Sequence, residues 1–259
     1  MIRTIGIAVL PLCAAGSSFI FASNPNDELS VHLDAAMGCE YGRPELVRRD
    51  SHCTVRIKNP RGRAILVGDS HAGQLAEGFL KATSNLGFDA TIATRANTPL
   101  LAASSSDLNI AGDSLVSAIV QEKPEVVVVA QSRYQSRSGD TNWSDLFRNV
   151  VTNFERNGIR VVVVNSSTMI GIEPMDCSYI SMAVDKCAAD VVVSRASLVS
   201  FVSGSLNDEQ SSIRGTQATV VSLLDLFCDQ ENCPSRRNDR WMWRDSSHMS
   251  RYASELTAP

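Results

Sequence analysis

Two runs of four consecutive valines, at residues 126–129 and 161–164, constrain the fold more strongly than any other feature of the chain. β-Branched side chains fit a pleated sheet. A strand that is apolar at every position is buried on both faces, as in a parallel sheet covered by helices. Three further apolar segments of similar length complete the pattern. The candidate strands are residues 64–67, 89–94, 125–130, 160–165 and 218–223.

Helical patterns separate these strands. The apolar positions are Leu75, Phe79 and Leu86 in one helix and Leu146, Val150, Val151 and Phe154 in another. The pair Asn157-Gly158 after the second helix is typical of a C-cap, and residues 181–205 are also predicted to be mostly helical. Alternating strands and helices predict an α/β fold, a three-layer α/β/α sandwich with a central parallel sheet of about five strands.

The run ILVGDSHAGQL at residues 65–75 places a serine where a strand ends and a helix begins. The strand enters a turn at Gly68, so Ser70 is expected at the helix N-terminus, beside free backbone N–H groups and the positive end of the helix dipole. Ligands bind at the carboxyl ends of parallel strands. Ser70 is therefore a candidate nucleophile with a developing oxyanion close to its own N–H.

A serine hydroxyl needs a base to take its proton, and the chain has few bases. Its four histidines are His32, His52, His71 and His248. The first two precede the first core strand, and the third is adjacent to Ser70, where helical neighbours do not face each other. Elimination leaves His248. Asp245, three residues earlier, can orient its imidazole, although an aspartate before Ser-Ser is also a capping signal.

These residues resemble a known superfamily. Gly-Asp-Ser after the first core strand, with a C-terminal Asp-x-x-His, resembles the SGNH (GDSL-type) hydrolases. The variant GDSHA, the paired cysteines and the segment LLDLFCDQENCPSRRNDRWMWRDSSHMS are similar to the extracytoplasmic SGNH domain fused to membrane-bound acyltransferase-3 proteins, whose members O-acetylate bacterial surface polysaccharides. The likeness runs from about residue 39 to the end. It implies a flavodoxin-like SGNH fold with Ser70, His248 and Asp245 as a catalytic triad.

The oxyanion hole departs from the superfamily pattern. Typical members add a glycine from a second block and the asparagine of a Gly-x-Asn-Asp block after the third strand, where this chain has VVVVAQSRYQ. The side chains that could replace these donors could instead cap loops. The oxyanion candidates are the Ser70 N–H, Asn97, Gln131, Ser132 and Arg133. Asp69 is expected to bond backbone in the tight turn, and His71 to be a buried donor near the site.

The N-terminal segment, residues 1–23, has no charged residue after Arg3 and ends in small residues. It is expected to be a secretory signal peptide, with cleavage after Ala22, or a retained membrane anchor. A lipoprotein signal at Cys13 and a buried soluble helix are weaker alternatives. The expected organisation is this segment, then a linker and disulfide segment at residues 24–61, then an SGNH domain at residues 62–259.

Six further cysteines fall into three local pairs. The expected pairs are Cys39 with Cys53, Cys177 with Cys187, and Cys228 with Cys233. Disulfides form in oxidising compartments, so this pattern agrees with export to the periplasm or cell surface. The alternatives are a zinc site or free core thiols, but no Cys-x-x-Cys motif accompanies the pairs. No metal and no cofactor are expected.

The charge of the chain argues against a nucleic-acid partner. Its net charge is −4, and it has no Lys/Arg block that would form a basic surface for nucleic acid.

The chemistry of an acyl-serine leaves two acceptors open. The acyl group can pass to a sugar hydroxyl or to water, so the expected function is O-acetyl transfer onto a cell-envelope glycan, with O-acetylesterase as the alternative. Because the chain has at most one membrane segment, we expect it to rely on a separate membrane protein for the acyl group, to act as a hydrolase, or to be the tail of a split or truncated fusion. An inactive glycan-binding module, favoured by the missing Gly-x-Asn-Asp block, is the third hypothesis.

Overall fold

The structure, a computed structural model, describes residues 27–96, 100, 106–132, 143–165, 174 and 192–259. Ten strands occur in this part of the chain. They are β1 (Thr54–Val55), β2 (Gly62–Gly68), β3 (Phe88–Thr94), β4 (Val126–Ala130), β5 (Arg160–Val164), β6 (Val192–Ser194), β7 (Thr219–Val221), β8 (Asn232–Pro234), β9 (Arg236–Arg237) and β10 (Arg240–Trp241).

The main sheet has six strands in the order β1-β3-β2-β4-β5-β7. The five longer strands are parallel, and only the two-residue β1 is antiparallel to its neighbour β3. Counted along the chain, the parallel strands lie in the order 2-1-3-4-5, the flavodoxin-like arrangement. Two small antiparallel pairs, β6 with β8 and β9 with β10, lie outside this sheet.

Helices cover the sheet. They are α1 (Leu33–Ala36), α2 (Ser70–Gly73), α3 (Ala76–Leu86), α4 (Ser106–Glu122), α5 (Trp143–Arg156), α6 (Arg195–Ser212), α7 (Leu224–Phe227) and α8 (Arg251–Leu256), with 3-10 turns at Asp27–Leu29 and Pro44–Val47. Helix α3 packs against α8, and α5 packs against α6. Right-handed crossovers that run toward opposite edges of a sheet place their helices on opposite faces, so α3 and α5 cover different faces of the α/β/α sandwich.

The strand register aligns the carboxyl ends of the central strands. Gly68 of β2 pairs with Ala130 of β4, which in turn pairs with Val164 of β5. Residues that follow these three positions therefore lie along one edge of the sheet, with Ser70 on the central strand's extension and Ser132 on its neighbour's.

The sequence predictions for this fold are largely confirmed. All five predicted strands exist within two residues of their expected bounds, and the cap after α5 has Gly158 at φ +76° with the Ile159 N–H donating to the Phe154 carbonyl at 3.0 Å. One detail was wrong: Leu86, the last residue of α3, is 54% exposed and does not lie on the buried face of the helix. Within residues 181–205, the described part starts at residue 192 and is mostly helical, because α6 begins at Arg195; the strand β6 precedes it.

Two of the three predicted disulfides are present, Cys39 with Cys53 and Cys228 with Cys233. Cys177 and Cys187 lie outside the described residues. So does the N-terminal segment, residues 1–23. Among the helices that are described, none combines the length and the apolar character needed to cross a bilayer.

Candidate active site

Gly68 and Asp69 build the turn that presents Ser70. Gly68 has φ +145°, and a Cβ there would lie 1.7 Å from the Ala130 carbonyl oxygen, so the turn needs glycine. The Asp69 carboxylate then accepts the His71 N–H at 2.8 Å and the Ser132 N–H at 2.6 Å. The first bond caps α2 and the second ties β2 to β4. The Asp69 side chain thus accepts hydrogen bonds from backbone N–H groups, and Ser70 is the first residue of the helix.

A continuous chain of hydrogen bonds runs from Ser70 through His248 to Asp245. The Ser70 hydroxyl lies 2.9 Å from Nε2 of His248. The Nδ1 atom of the same ring lies 2.9 and 3.0 Å from the two carboxylate oxygens of Asp245. The side chains of His248 and Asp245 are 24% and 22% exposed, so a substrate can reach the site while most of each group is shielded.

Asp245 is held as a carboxylate. Burial alone would raise its pKa, but the hydrogen bond from His248 and the N–H groups of Ser247 and His248 together hold the pKa well below its ordinary value. The same oxygens therefore cap the local turn and orient the imidazole. The two functions that the sequence left as alternatives coexist in one side chain.

His71 stays neutral beside His248. Burial lowers the pKa of His71 to about 3, and the charge of nearby His248 acts in the same direction. The two rings lie 5.2 Å apart, and Nδ1 of His71 lies 3.3 Å from Nε2 of Gln74. Burial also raises the pKa of Asp69 to about 6, against the hydrogen bonds from Ser132 and His71 that lower it. A neutral His71 places no competing positive charge next to the candidate base.

The oxyanion candidates differ in what they can offer. The Ser70 N–H has no acceptor within the described part of the chain. Gln131 and Ser132 are buried at the carboxyl end of β4, beside the turn, but the Ser132 N–H is already bonded to Asp69, which leaves only its hydroxyl. Asn97 and Arg133 lie outside the described residues. The second donor of the oxyanion hole stays a prediction.

Three polar residues behind His248 were not predicted from the sequence. The Met249 N–H donates to Oε1 of Gln74 at 2.7 Å, and the Met249 carbonyl lies 2.9 Å from Nε2 of His32. Nδ1 of His32 lies 2.8 Å from Glu77. The position of His32 before the first core strand does not predict a place near the site. The one sequence feature that distinguishes it is that the chain has only four histidines.

Two other features are structural. Cys39, His52 and Cys53 lie close enough to share a metal ion, but both sulfurs are in a disulfide and offer no thiolate. Trp243 is fully buried and stacks on Phe227 with ring centroids 4.4 Å apart. Core packing therefore explains Trp243.

Comparisons with known proteins bear on the family and the fold of the chain. The family model described as "SGNH domain (fused to AT3 domains)" matches residues 38–259. A solved structure, the periplasmic domain of a lipopolysaccharide acetyltransferase from Salmonella ser. Paratyphi A, superposes with a TM-score of 0.54 at 17% identity and covers 78% of this chain and 82% of that chain. At this identity the similarity concerns the fold alone. No curated protein matches the chain.

Proposed function

We propose, from the premise that this chain belongs to the SGNH domain family (fused to AT3 domains), that it is an extracytoplasmic serine acyltransferase acting on a cell-envelope glycan. The single observation that carries the proposal is the uninterrupted hydrogen-bond chain from the Ser70 hydroxyl to His248 and Asp245. Such a chain activates a serine toward acyl groups on unrelated folds.

The first half-reaction forms an acyl-serine. The Ser70 oxygen attacks the carbonyl carbon of the acyl donor while its proton moves to Nε2 of His248. The Asp245 carboxylate keeps Nδ1 protonated and stabilises the imidazolium. Nε2 then returns the proton to the leaving oxygen of the donor, and the C–O bond to the donor breaks. The Ser70 N–H, at the N-terminus of α2, is placed to stabilise the intermediate's oxyanion.

The second half-reaction releases the acyl group. An acceptor hydroxyl gives its proton to Nε2 of His248 and attacks the acyl-serine carbonyl, and Ser70 leaves with the proton returned from the imidazolium. A sugar hydroxyl as acceptor gives a transferase, and water gives an esterase. The chemistry at Ser70 is the same in both.

Two observations favour an exported domain and a glycan acceptor. The bonds Cys39–Cys53 and Cys228–Cys233 suit an oxidising compartment. The structural relative is, by its title, the periplasmic domain of a lipopolysaccharide acetyltransferase. We further propose that a separate membrane protein supplies the acyl group, and that residues 1–23 serve for export or anchoring.

The test measures where the acyl group goes. The purified protein is incubated with p-nitrophenyl acetate, with and without oligosaccharides from bacterial surface glycans, and released acetate and acetylated sugar are both quantified. Ser70→Ala should lose nearly all turnover, while Ser203→Ala, at a half-buried serine on α6, should retain it. Acetate alone at every acceptor concentration would make the protein an esterase. Equal rates for wild type and Ser70→Ala would contradict serine catalysis and favour an inactive module.

A further inference from the structure

The residue after His248 is held on both sides of its backbone by buried side chains. The Met249 N–H donates to Oε1 of Gln74 at 2.7 Å, and its carbonyl oxygen lies 2.9 Å from Nε2 of His32. Met249, Gln74 and His32 are all buried. A carbonyl oxygen only accepts, so Nε2 of His32 carries the proton of this bond. The peptide groups on either side of Met249 are thereby fixed.

We propose that Gln74 and His32 are positioning residues that hold His248 against Ser70. The inference rests on the proposed function, since it concerns the same catalytic histidine. We refer to the contacts of Gln74 and His32 with Met249 as the Met249 clamp.

One half of the Met249 clamp belongs to the nucleophile's own turn. Gln74 follows α2 directly, and its N–H donates to the Ser70 carbonyl at 3.0 Å. Its side chain therefore spans from the backbone that carries Ser70 to the backbone that carries His248. If the loop that carries His248 shifts relative to the turn that carries Ser70, the hydrogen bond between Gln74 and Met249 must break.

The other half is anchored by Glu77 on α3. Oε2 of Glu77 lies 2.8 Å from Nδ1 of His32, and Oε1 accepts the Leu33 N–H at 3.0 Å and lies 3.2 Å from Nε of Arg251. Arg251 itself begins α8, two residues after Met249. The Glu77 carboxylate on α3 thus contacts both the segment around His32 and the residue Arg251, which follows the loop that carries His248.

The segment that carries His32 lies before residues 38–259, the part matched by the family model. It makes a second contact with the C-terminal region, because Glu28 accepts the Trp241 N–H at 3.0 Å and pairs with Nε of Arg240 at 2.9 Å. Residues 28–33 therefore brace the chain on both sides of His248. A displacement of about 1 Å at a catalytic group costs roughly 10²-fold in rate, so such a brace has a direct kinetic effect.

Four variants distinguish a loss of His248 positioning from a general loss of protein stability. His32→Asn keeps a polar group near Glu77 but is too short to reach Met249, whereas His32→Gln can still donate to the Met249 carbonyl. Gln74→Leu removes the other bond. Glu122→Leu is the control, because it breaks a different, partly buried ion pair, with Arg63 at the opposite end of β2.

The first readout does not depend on activity. Proton NMR follows the low-field signal of the His248 Nδ1–H bonded to Asp245, assigned by its absence in His248→Gln. We expect the signal to broaden or disappear in His32→Asn and Gln74→Leu and to persist in His32→Gln and Glu122→Leu. Persistence in both clamp-breaking variants would overturn the proposal. If one of those variants does not fold, the other decides, since each removes one half of the Met249 clamp.

The second readout is the turnover of p-nitrophenyl acetate. Folded His32→Asn and Gln74→Leu should lose about 10- to 100-fold in kcat with little change in KM, and Glu122→Leu should lose melting temperature but not kcat. In a His248→Ala background, Gln74→Leu should cost nothing further. An equal loss in that background would show that Gln74 does not act through His248. A wild type that lacks Ser70-dependent turnover but shows the expected NMR pattern would overturn the proposed function and support the Met249 clamp.

Discussion

The Ser70 hydroxyl and Nε2 of His248 lie 2.9 Å apart although 178 positions separate them in the chain. Ser70 follows β2, at the centre of the sheet, while His248 lies on a loop after the last strand. The loop reaches the carboxyl edge of β2 because the C-terminal segment packs back on α2, α3 and residues 28–33. The site is thus a product of tertiary packing between the two ends of the domain.

Replacing Asp245 with asparagine should abolish most activity without unfolding the protein. The amide cannot stabilise the His248 imidazolium and favours the wrong tautomer, so kcat should fall roughly 10³-fold or more. Stopped-assay kinetics with p-nitrophenyl acetate measure the change. Asp229→Asn is a matched control, because Asp229 also accepts two backbone N–H groups in a turn, at Glu231 and Asn232. A comparable loss in that control would argue against a specific role for Asp245.

Gly68→Ala should be strongly destabilising. The new Cβ would meet the Ala130 carbonyl at 1.7 Å, and Gly68 has φ +145°, a region that alanine rarely adopts. We expect a loss of more than about 3 kcal/mol in the free energy of unfolding. Gly158→Ala, with φ +76° and no atom within 4 Å, should cost only about 1 kcal/mol. Urea denaturation compares them, and similar losses would contradict the close approach at β4.

Reduction of the Cys39–Cys53 disulfide should lower stability measurably. The bond closes a loop with a sequence separation of 14, for which chain entropy predicts about 3 kcal/mol. The bond Cys228–Cys233, with a separation of 5, should contribute about 2 kcal/mol. Double Cys→Ser variants of each pair, compared by urea denaturation without reductant, test this order. The reverse order would show that native strain or residual structure outweighs loop length.

His71 should make the fold sensitive to mild acid. Its folded-state pKa, about 3, lies below the ordinary value of 6.5, so the unfolded chain binds this proton more tightly. The stability that neutral His71 contributes is fully present above pH 6.5 and is lost as the pH falls toward 3. His71→Asn keeps an acceptor for Gln74 but cannot be charged.

Between pH 7.5 and pH 5 the wild type should therefore lose about 2 kcal/mol more unfolding free energy than His71→Asn. Asp69, whose raised pKa works in the opposite direction between pH 3.8 and about 6, is present in both proteins and cancels in the comparison. Parallel pH dependences would contradict a buried, neutral His71.

The fold could be predicted from the sequence because the sequence patterns that indicate it are local. Runs such as residues 126–129 and 161–164 carry the strand preference in every side chain, and the Asn157-Gly158 cap needs only one turn of context. The short strands β1 and β8 through β10 were missed, since two or three residues carry no periodicity and pair only through tertiary contacts. The strand β6, which precedes α6, likewise forms by pairing with a short strand, β8.

Only part of the candidate site could be predicted from the sequence. The turn around Ser70 and the short Asp245-to-His248 spacing are local patterns. The bonds of His32 and Gln74 to Met249 join residues 217 and 175 positions apart, and no spacing rule reveals such contacts. The commitment of the Ser132 N–H to Asp69 was hidden for the same reason.

Locating the acyl group on the protein tests the role of Ser70 most directly. Wild type, Ser70→Ala and Ser203→Ala are mixed with p-nitrophenyl acetate, quenched with acid during the first turnover, digested and analysed by mass spectrometry. We expect one acetyl group on the peptide containing Ser70 in the wild type and in Ser203→Ala, and none on that peptide in Ser70→Ala. Acetylation confined to other residues, or turnover that continues undiminished in Ser70→Ala, would contradict a nucleophilic Ser70.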